Sequence, residues 1–518
     1  MSSSPALPPS RQRTILRMLL FSQLLIWLDG TILTNAFETL ADPVRGLGAT
    51  PGQLQWATGA YTLVFATLTF TGGALGDRFG HRNTLLTGMA VFGLASVVAA
   101  YAGSPDQLTA ARVAMGVGAA LLMPATMAVI SWTFEPAQRA AAYGAMSAFA
   151  GVGIAAGPVL SGLLLQKFWW GSVFIVNVPV VLVGTVCIAL VVPNFRSPVA
   201  RRLDLPGLAL SIAGLGALAY GLIRAGQDGS FARPAVWGTI VAGLLVLAGF
   251  VLVELRVPAP SFDPRLLRDR AFAGGNIALM LLFLAMTGSS FYGAFYLQGP
   301  RQLSALQSGL LMLPAAAGVM IGSPLSVRLV RRSSARVVST LALLITAACM
   351  AAVCGYGLHT SIVLFEVLMF VQGTATGMVT APLTGAVLGS LPPARAGAGS
   401  AVNSTLRQTG SVLGIAVGGT ITTLVYQGAI ESAVAARPPA VRDAARVSAE
   451  SARHVARTTG DPGLVAAADD AFLHAAHVAA GWTAGFVVLA AVVVATTLAA
   501  RRVPPVATVA PEPELASS

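Results

Sequence analysis

Few side chains in this 518-residue chain can do chemistry, and those that can stand where charge is costly. Asp29, Arg112, Glu366 and Arg407 interrupt the long apolar runs LLIWLDGTIL, AARVAMGVGAALLMP, SIVLFEVLMF and NSTLRQTGSVLG. An ionisable group at mid-bilayer costs about 2.5 to 3.5 kcal/mol or more, so each is a functional candidate by default. Counted at about 1.5 Å per residue from the expected helix ends, Asp29 lies roughly 21 Å from one face of the bilayer core. Arg112 lies about 9 Å from the other face, and in a core about 30 Å thick the two reach a similar level. A carboxylate there can take up and release a proton as its surroundings change, and a facing arginine can relay that change or simply hold the helices together. Asp29 and Arg112 are therefore proton-coupling candidates, with a structural pair as the alternative. Glu366 has no charged neighbour within a helical turn. It is a third candidate, for a second proton or a cationic ligand, unless it faces water or stays protonated. Arg407 reads as an organiser of structure or as part of a cavity wall, and Glu38 and Glu254, at helix ends, are expected to be solvated. Neither an ATP-binding loop, a metal-ligand cluster nor a nucleophilic triad is legible, so no catalytic residue, metal or cofactor is expected. Uphill work would draw on an ion gradient, the proton gradient first.

Two glycine-rich segments are the other points of interest. In GGALGDRFGHRN, Gly72 to Asn83, Asp77 stands among Arg78 and Arg82, and Gly73 and Gly80 allow neighbouring backbones to approach. A carboxylate at such a helix junction can pair with arginines and with the positive N-terminus of the next helix, forming a latch that holds one conformation; a positively charged loop is the plainer alternative. In GVGIAAGPVLSG, Gly151 to Gly162, the small residues Gly153, Gly157, Ser161 and Gly162 permit tight packing, and Pro158 removes a helix hydrogen bond and bends the segment.

The elements that must position these residues are membrane spans. The chain is 55% hydrophobic and 10% charged with a mean hydropathy of +0.75, against about 25% charged in a soluble domain, so a water-soluble fold is excluded. Apolar stretches of about twenty residues recur from end to end, and lipid forces them to be helical. Hydropathy with Gly, Pro and Arg punctuation places fourteen helices, near 15–37, 52–75, 84–103, 106–131, 139–165, 172–192, 207–225, 235–255, 271–297, 306–330, 336–357, 361–389, 397–428 and 476–500. The net charge of +12 does not mark a nucleic-acid surface, because the arginines sit in short loops. Of the thirty-two Lys and Arg, twenty fall on one side if the N-terminus is cytoplasmic and ten on the other, with Arg112 and Arg407 within spans. That bias puts both termini in the cytoplasm. Segment 429–475, Ala-rich and of mixed charge, reads as an extracytoplasmic loop, disordered or a surface helix, and 501–518 as a disordered tail. The three cysteines lie in apolar segments and form neither a disulfide framework nor a metal-ligand spacing. The first helix is too long for a cleaved signal peptide. A single lysine, Lys167, beside thirty-one arginines suggests a GC-rich bacterial genome and hence a plasma membrane.

GGALGDRFGHRN resembles the GxLaDRxGrkr signature of the major facilitator superfamily, and LTAARVAMGVGAALLMP resembles its fourth-helix motif with the buried arginine at Arg112. GVGIAAGPVLSG is similar to the fifth-helix motif of drug/proton antiporters. Trp56 and Tyr61 in QWATGAY, Asn177 and Pro179 in FIVNVP, and RQTGSVLG from Arg407 narrow the likeness to the fourteen-helix drug:proton antiporter branch. The resemblance implies an all-α fold of two six-helix bundles, 15–192 and 271–500, separated by a linker at 193–206 and two inserted helices at 207–255, with a short tail at 1–14. It implies a proton-coupled exporter of hydrophobic or cationic drugs working by alternating access, with protons, the lipid bilayer and the drug as its partners. The oligomeric state stays open. Trp56, Tyr61, Tyr292 and Arg407 become candidate cavity residues, with Phe291, Phe295 and Tyr296 beside them. Three departures stand out. Glu38 and Thr34 replace a proline and an asparagine of the usual first helix, Trp170, Gly171 and Ser172 replace an aromatic, arginine, aromatic run, and Arg331 replaces an aspartate, so the second-half latch is expected to be lost. A narrow metabolite or natural-product transporter, and a membrane sensor or scaffold that no longer transports, are the alternatives.

Overall fold

A computed structural model describes residues 8–196, 204–257, 260, 262–391 and 396–499. The apolar runs form long helices: α1 (Pro9–Ile32), α2 (Pro51–Phe79), α3 (His81–Ala100), α4 (Pro105–Thr133), α5 (Pro136–Lys167), α6 (Asn177–Val191), α7 (Leu205–Gln227) and α8 (Pro234–Glu254). They continue with α9 (Arg270–Gln298), α10 (Leu313–Arg332), α11 (Ala335–Ala352), α12 (Ile362–Gly389), α13 (Ala396–Val434), α14 (Pro439–Val447), α15 (Ala449–Thr459) and α16 (Pro462–Thr497). No strand occurs among the described residues. Local chemistry sets many of the starts. Thr50 and Gln53 cap α2 reciprocally, Ser104 caps α4, Asp269 caps α9 and Ser334 caps α11, each satisfying a backbone N–H that the first helical turn leaves free.

Among the described residues thirteen helices are long and apolar enough to cross a bilayer. The fourteenth expected span is α2, whose glutamines and threonines dilute its hydropathy and which packs along α4 and α13. Three expected spans are broken near one end. After α1 the chain tightens through Thr34–Ala36 into a short helix, Phe37–Ala41; Ser172–Ile175 precedes α6, and Ala305–Leu310 precedes α10. At the turn before α6, Gly171 fits against the Ala100 carbonyl, where a side chain would collide.

Of the two expectations for 429–475, disorder or a surface helix, the structure takes the helical one and goes further: α13 runs on to Val434, α14 and α15 follow, and α16 begins at Pro462, ahead of the expected 476. Alanine's high helix propensity carries the backbone, Gly460 ends α15 in a left-handed conformation, Asp461 caps α16, and Ala445, Ala449, Ala452 and Ala456 are buried against the bundle. The expected tail at 501–518 lies outside the described residues, as do parts of the 1–14 tail and of the 193–206 linker.

Helices α1 to α6 pack among themselves, α1 on α5 and α6, α4 on α2 and α3. Helices α9 to α13 and α16 do likewise, α9 against α13 and α16, α12 against α10 and α11. Two seams join these groups, α5 with the Ala305–Leu310 turn and α2 with α13. The pair α7 and α8 pack on each other and reach the second seam through α7, while Trp237, Leu244, Leu245 and Leu252 of α8 point outward.

Candidate functional site

Arg112 of α4 and Asp29 of α1, 83 residues apart, meet in the interior, with Arg112 Nη1 donating to Asp29 Oδ2 at 2.5 Å. Both side chains are essentially inaccessible, at 1% and 0% exposure. Arg112 Nε donates to the Ala57 carbonyl of α2 at 3.2 Å, and its guanidinium lies 4.3 Å from the Tyr61 ring centre. The Asn177 side chain also faces the carboxylate. One arginine thus ties three helices, and removing either charge would leave the other unpaired in a dry interior.

A cavity of about 290 Å³ opens between the two helix groups. Thr31, Thr34 and Asn35 contribute from the α1 end, and α5 contributes Ile154 and Pro158. The second group supplies most of the wall, including Met286, Met312, Met350 and Met369, the aromatics Tyr292, Tyr296, Tyr356 and Phe365, and the polar Gln372 and Thr376. No charged side chain lines it among the described residues. Flexible methionines beside rigid rings make a wall that adapts to varied apolar ligands.

Of the four cavity candidates, only Tyr292 is there; its hydroxyl lies 3.4 Å from Thr483 Oγ1. Tyr61 is beneath Arg112, and Trp56 packs on Tyr220 of the inserted α7 at 6.2 Å between ring centres. Arg407 stacks over Phe283 at 4.4 Å. The family resemblance made these three cavity candidates, but which interior each one faces is decided by the neighbouring helix. Phe291 and Phe295 stack instead on Phe37, at 5.5 and 5.8 Å. Glu366, half-buried and next to Phe365, is not part of the lining.

The α5 glycines meet both helix groups. A methyl group at Gly153 would press on Trp27, and one at Gly157 would collide with the Thr31 hydroxyl, so both glycines seat α5 on the turns of α1 that carry Asp29. Ser161 is fully buried, and Gly162 lies against Leu306 of the other group. Asn35 Nδ2 donates at 3.0 Å both to Pro158, whose carbonyl the bent segment presents, and to the Ala305 carbonyl, while Gln298 Nε2 donates to the Asn35 carbonyl at 2.9 Å. These bonds and the Phe37 stack close the cavity at the end nearer α14 and α15.

Over that closure lies a charged cluster that sequence reading missed. Arg453 of α15, 2% exposed, lies 2.7 Å from Asp469, 2.9 Å from Glu450 and 3.5 Å from Glu38. Burial opposes its charge, but the three carboxylates outweigh that and hold its pKa above the usual arginine value. Glu38 is therefore not solvated as expected, because 429–475 folds over it. Glu38 is half-buried, whereas Glu254 is fully buried, accepting from the Phe262 N–H at 3.3 Å, because the chain after α8 turns back across its end. The signal that could have revealed the cluster is Glu38 standing at a helix end in place of a proline.

At the opposite end, Asp77 lies 3.5 Å from the His81 imidazole, and Gly80 joins α2 to α3 at φ +97, a conformation that favours glycine. Gly73 faces Pro124 of α4, and Arg78 is within 5.5 Å of the Phe79 ring. Arg82 is half-buried in the first turn of α3. Arg331 is exposed and forms no ion pair among the described residues.

A family profile described as Major Facilitator Superfamily matches residues 19–415. The chain belongs to that superfamily. As a major facilitator protein it is a multi-pass membrane transporter and not an enzyme. Its relatives include the puromycin resistance protein of Streptomyces alboniger, 34% identical over 80% of this chain and 83% of that protein. The multidrug efflux pump LfrA of Mycolicibacterium smegmatis is 31% identical over 82% of this chain and 83% of its own length. Among solved structures, a bacterial homologue of the human lysosomal transporter Spinster in an inward-facing, unoccupied conformation superposes with a TM-score of 0.65 at 15% identity. It covers 94% of this chain and 98% of that one, and the likeness is one of fold.

Proposed function

We propose that this transporter exports drugs or antibiotics across the plasma membrane in exchange for protons, by alternating access to the central cavity. The observation that carries this reading is the division of α1. With the tightened turn that follows it, it lines an adaptable apolar cavity through Thr31, Thr34 and Asn35, and two residues before Thr31 it presents Asp29 to the buried Arg112. Proton uptake by Asp29 would break its pair with Arg112 and free α1 to shift against α5, and the Asn35 bonds that close the cavity would move with it. The names of the resistance and efflux relatives support a drug as the cargo. The arginine bias supports cytoplasmic termini. On that orientation the closed end, with α14 and α15, faces outward. The Asp77 segment acts as the cytoplasmic latch. One charge crossing 100 mV supplies about 2.3 kcal/mol, enough for roughly a forty-fold gradient of an uncharged drug per proton.

The test is energised efflux of dyes and antibiotics from a pump-deficient bacterium carrying the wild type or Asp29→Asn, with and without a protonophore. Export that the protonophore stops, and that Asp29→Asn abolishes at normal membrane levels, is the expected result. Export indifferent to both removes Asp29 and the gradient from the mechanism.

A further inference from the structure

The relatives and the spacing of charges leave both hydrophobic and cationic drugs open as cargo, whereas the wall of the cavity distinguishes them. Moving a cation out of water into a protein interior requires a facing carboxylate or several oriented dipoles, because the hydration it loses is large. Two of the carboxylates near the cavity are committed elsewhere, Asp29 to Arg112 and Glu38 to Arg453 beyond the closure, and Glu366, beside the lining residue Phe365, is not part of the wall. Ring faces alone recover only a small part of the loss.

What the wall does offer is hydroxyl groups. Ser308, Tyr356 and Thr376 line the cavity at 2%, 4% and 5% exposure, and the hydroxyl oxygen of each is buried without a hydrogen-bond partner. A buried hydroxyl left unpaired is costly, so three of them around one cavity mark where a ligand's own donors and acceptors would bind. They come from the short helix before α10, the segment after α11, and α12, all on the second helix group's side of the cavity.

Building on the exporter reading, we infer that the cavity selects uncharged, hydroxyl- or carbonyl-bearing aromatic compounds, held by the hydroxyls of Ser308, Tyr356 and Thr376 against the methionine and aromatic wall. It follows that exchange for a proton moves net charge. Export of the favoured substrate then responds to the membrane potential as well as to the pH difference, whereas a monocation exchanged for one proton would feel only the pH difference.

The experiment measures export of chloramphenicol, as an uncharged aromatic alcohol, and of tetraphenylphosphonium, as a monocation, from a pump-deficient host expressing the full chain. Membrane potential is collapsed with valinomycin and potassium at a fixed pH difference. Chloramphenicol export should exceed tetraphenylphosphonium export at least ten-fold and fall several-fold when the potential is removed. Tyr356→Phe combined with Thr376→Val should lower it at least five-fold at unchanged membrane level. Preferential export of tetraphenylphosphonium, especially export that Glu366→Gln abolishes, would overturn the inference while leaving the exporter reading intact. So would chloramphenicol export that ignores the potential or the double substitution. Export of neither probe would sink both readings together.

Discussion

Two faces of α1 differ sharply in chemistry. Asp29 and Thr31 are two residues apart, which on an α-helix is about 200° of rotation, so they look in nearly opposite directions. Asp29 faces α2 and α4, where Arg112 and Tyr61 surround it in a dry, fully charged-paired environment. Thr31 and Thr34 face a cavity with no charge in its described wall. In the proposed mechanism proton handling and drug binding are therefore separated, and the two ligands would not compete for one carboxylate. Coupling has to pass through movement of α1 itself, which is where Gly153 and Gly157 of α5 press on it. Allostery of this kind requires an element with two arrangements that both ligands bias, and α1 is the element placed to be it.

The strongest challenge to that separation is Arg112→Ala. It leaves Asp29 buried without a cation, which typically costs 3–5 kcal/mol, so reduced membrane levels and lost export of every substrate are expected. Expression blots and efflux assays check this, and Arg112→Ala with Asp29→Asn together should restore the protein level but not export. Retained export that a protonophore still stops in the double variant would show that the pair only holds the helices together.

Next in size is Gly157→Ala. Its methyl group would meet the Thr31 hydroxyl and push α1 from α5, at a cost of about 1–3 kcal/mol, and export should fall about ten-fold with drug affinity little changed. Measuring binding and transport separately decides it, since a loss of affinity alone would place the glycine in the site rather than in the coupling.

Arg453→Ala should act more gently and at the other end of the same helix. Releasing Glu38, Glu450 and Asp469 from their common cation weakens the outer closure by about 1–3 kcal/mol, because part of the cluster reaches solvent. A cysteine at Thr34, in the cavity wall, should then label faster from outside while Asp29 pairing is unaffected. Unchanged labelling would mean that the Phe37 stack and the Asn35 bonds hold the closure alone.

The sequence brought Asp29 and Arg112 to one level of the membrane because helical rise is constant and span ends are marked by polar residues. It also placed the small-residue face of α5 and the Asp77 segment at helix junctions, since period and composition are local properties. It failed at Trp56, Tyr61 and Arg407, which face inward as expected but toward an inserted helix, a buried arginine and a phenylalanine rather than the cavity. At 429–475 a surface helix was legible but its packing was not, because mixed charge read as solvation hides an alanine face and a buried arginine that matter only once Glu38 is beneath them.

What the residues determined by themselves is therefore the kind of molecule this is: apolar runs too long and too numerous for water, helices because lipid satisfies no backbone group, and charges so few inside that each invites a role. What only the tertiary structure decided is which inward faces share a space. A helix presents several interior directions at once, and hydropathy measures burial without naming the neighbour. Only packing put the Asp29–Arg112 pair and the uncharged cavity wall on opposite sides of α1.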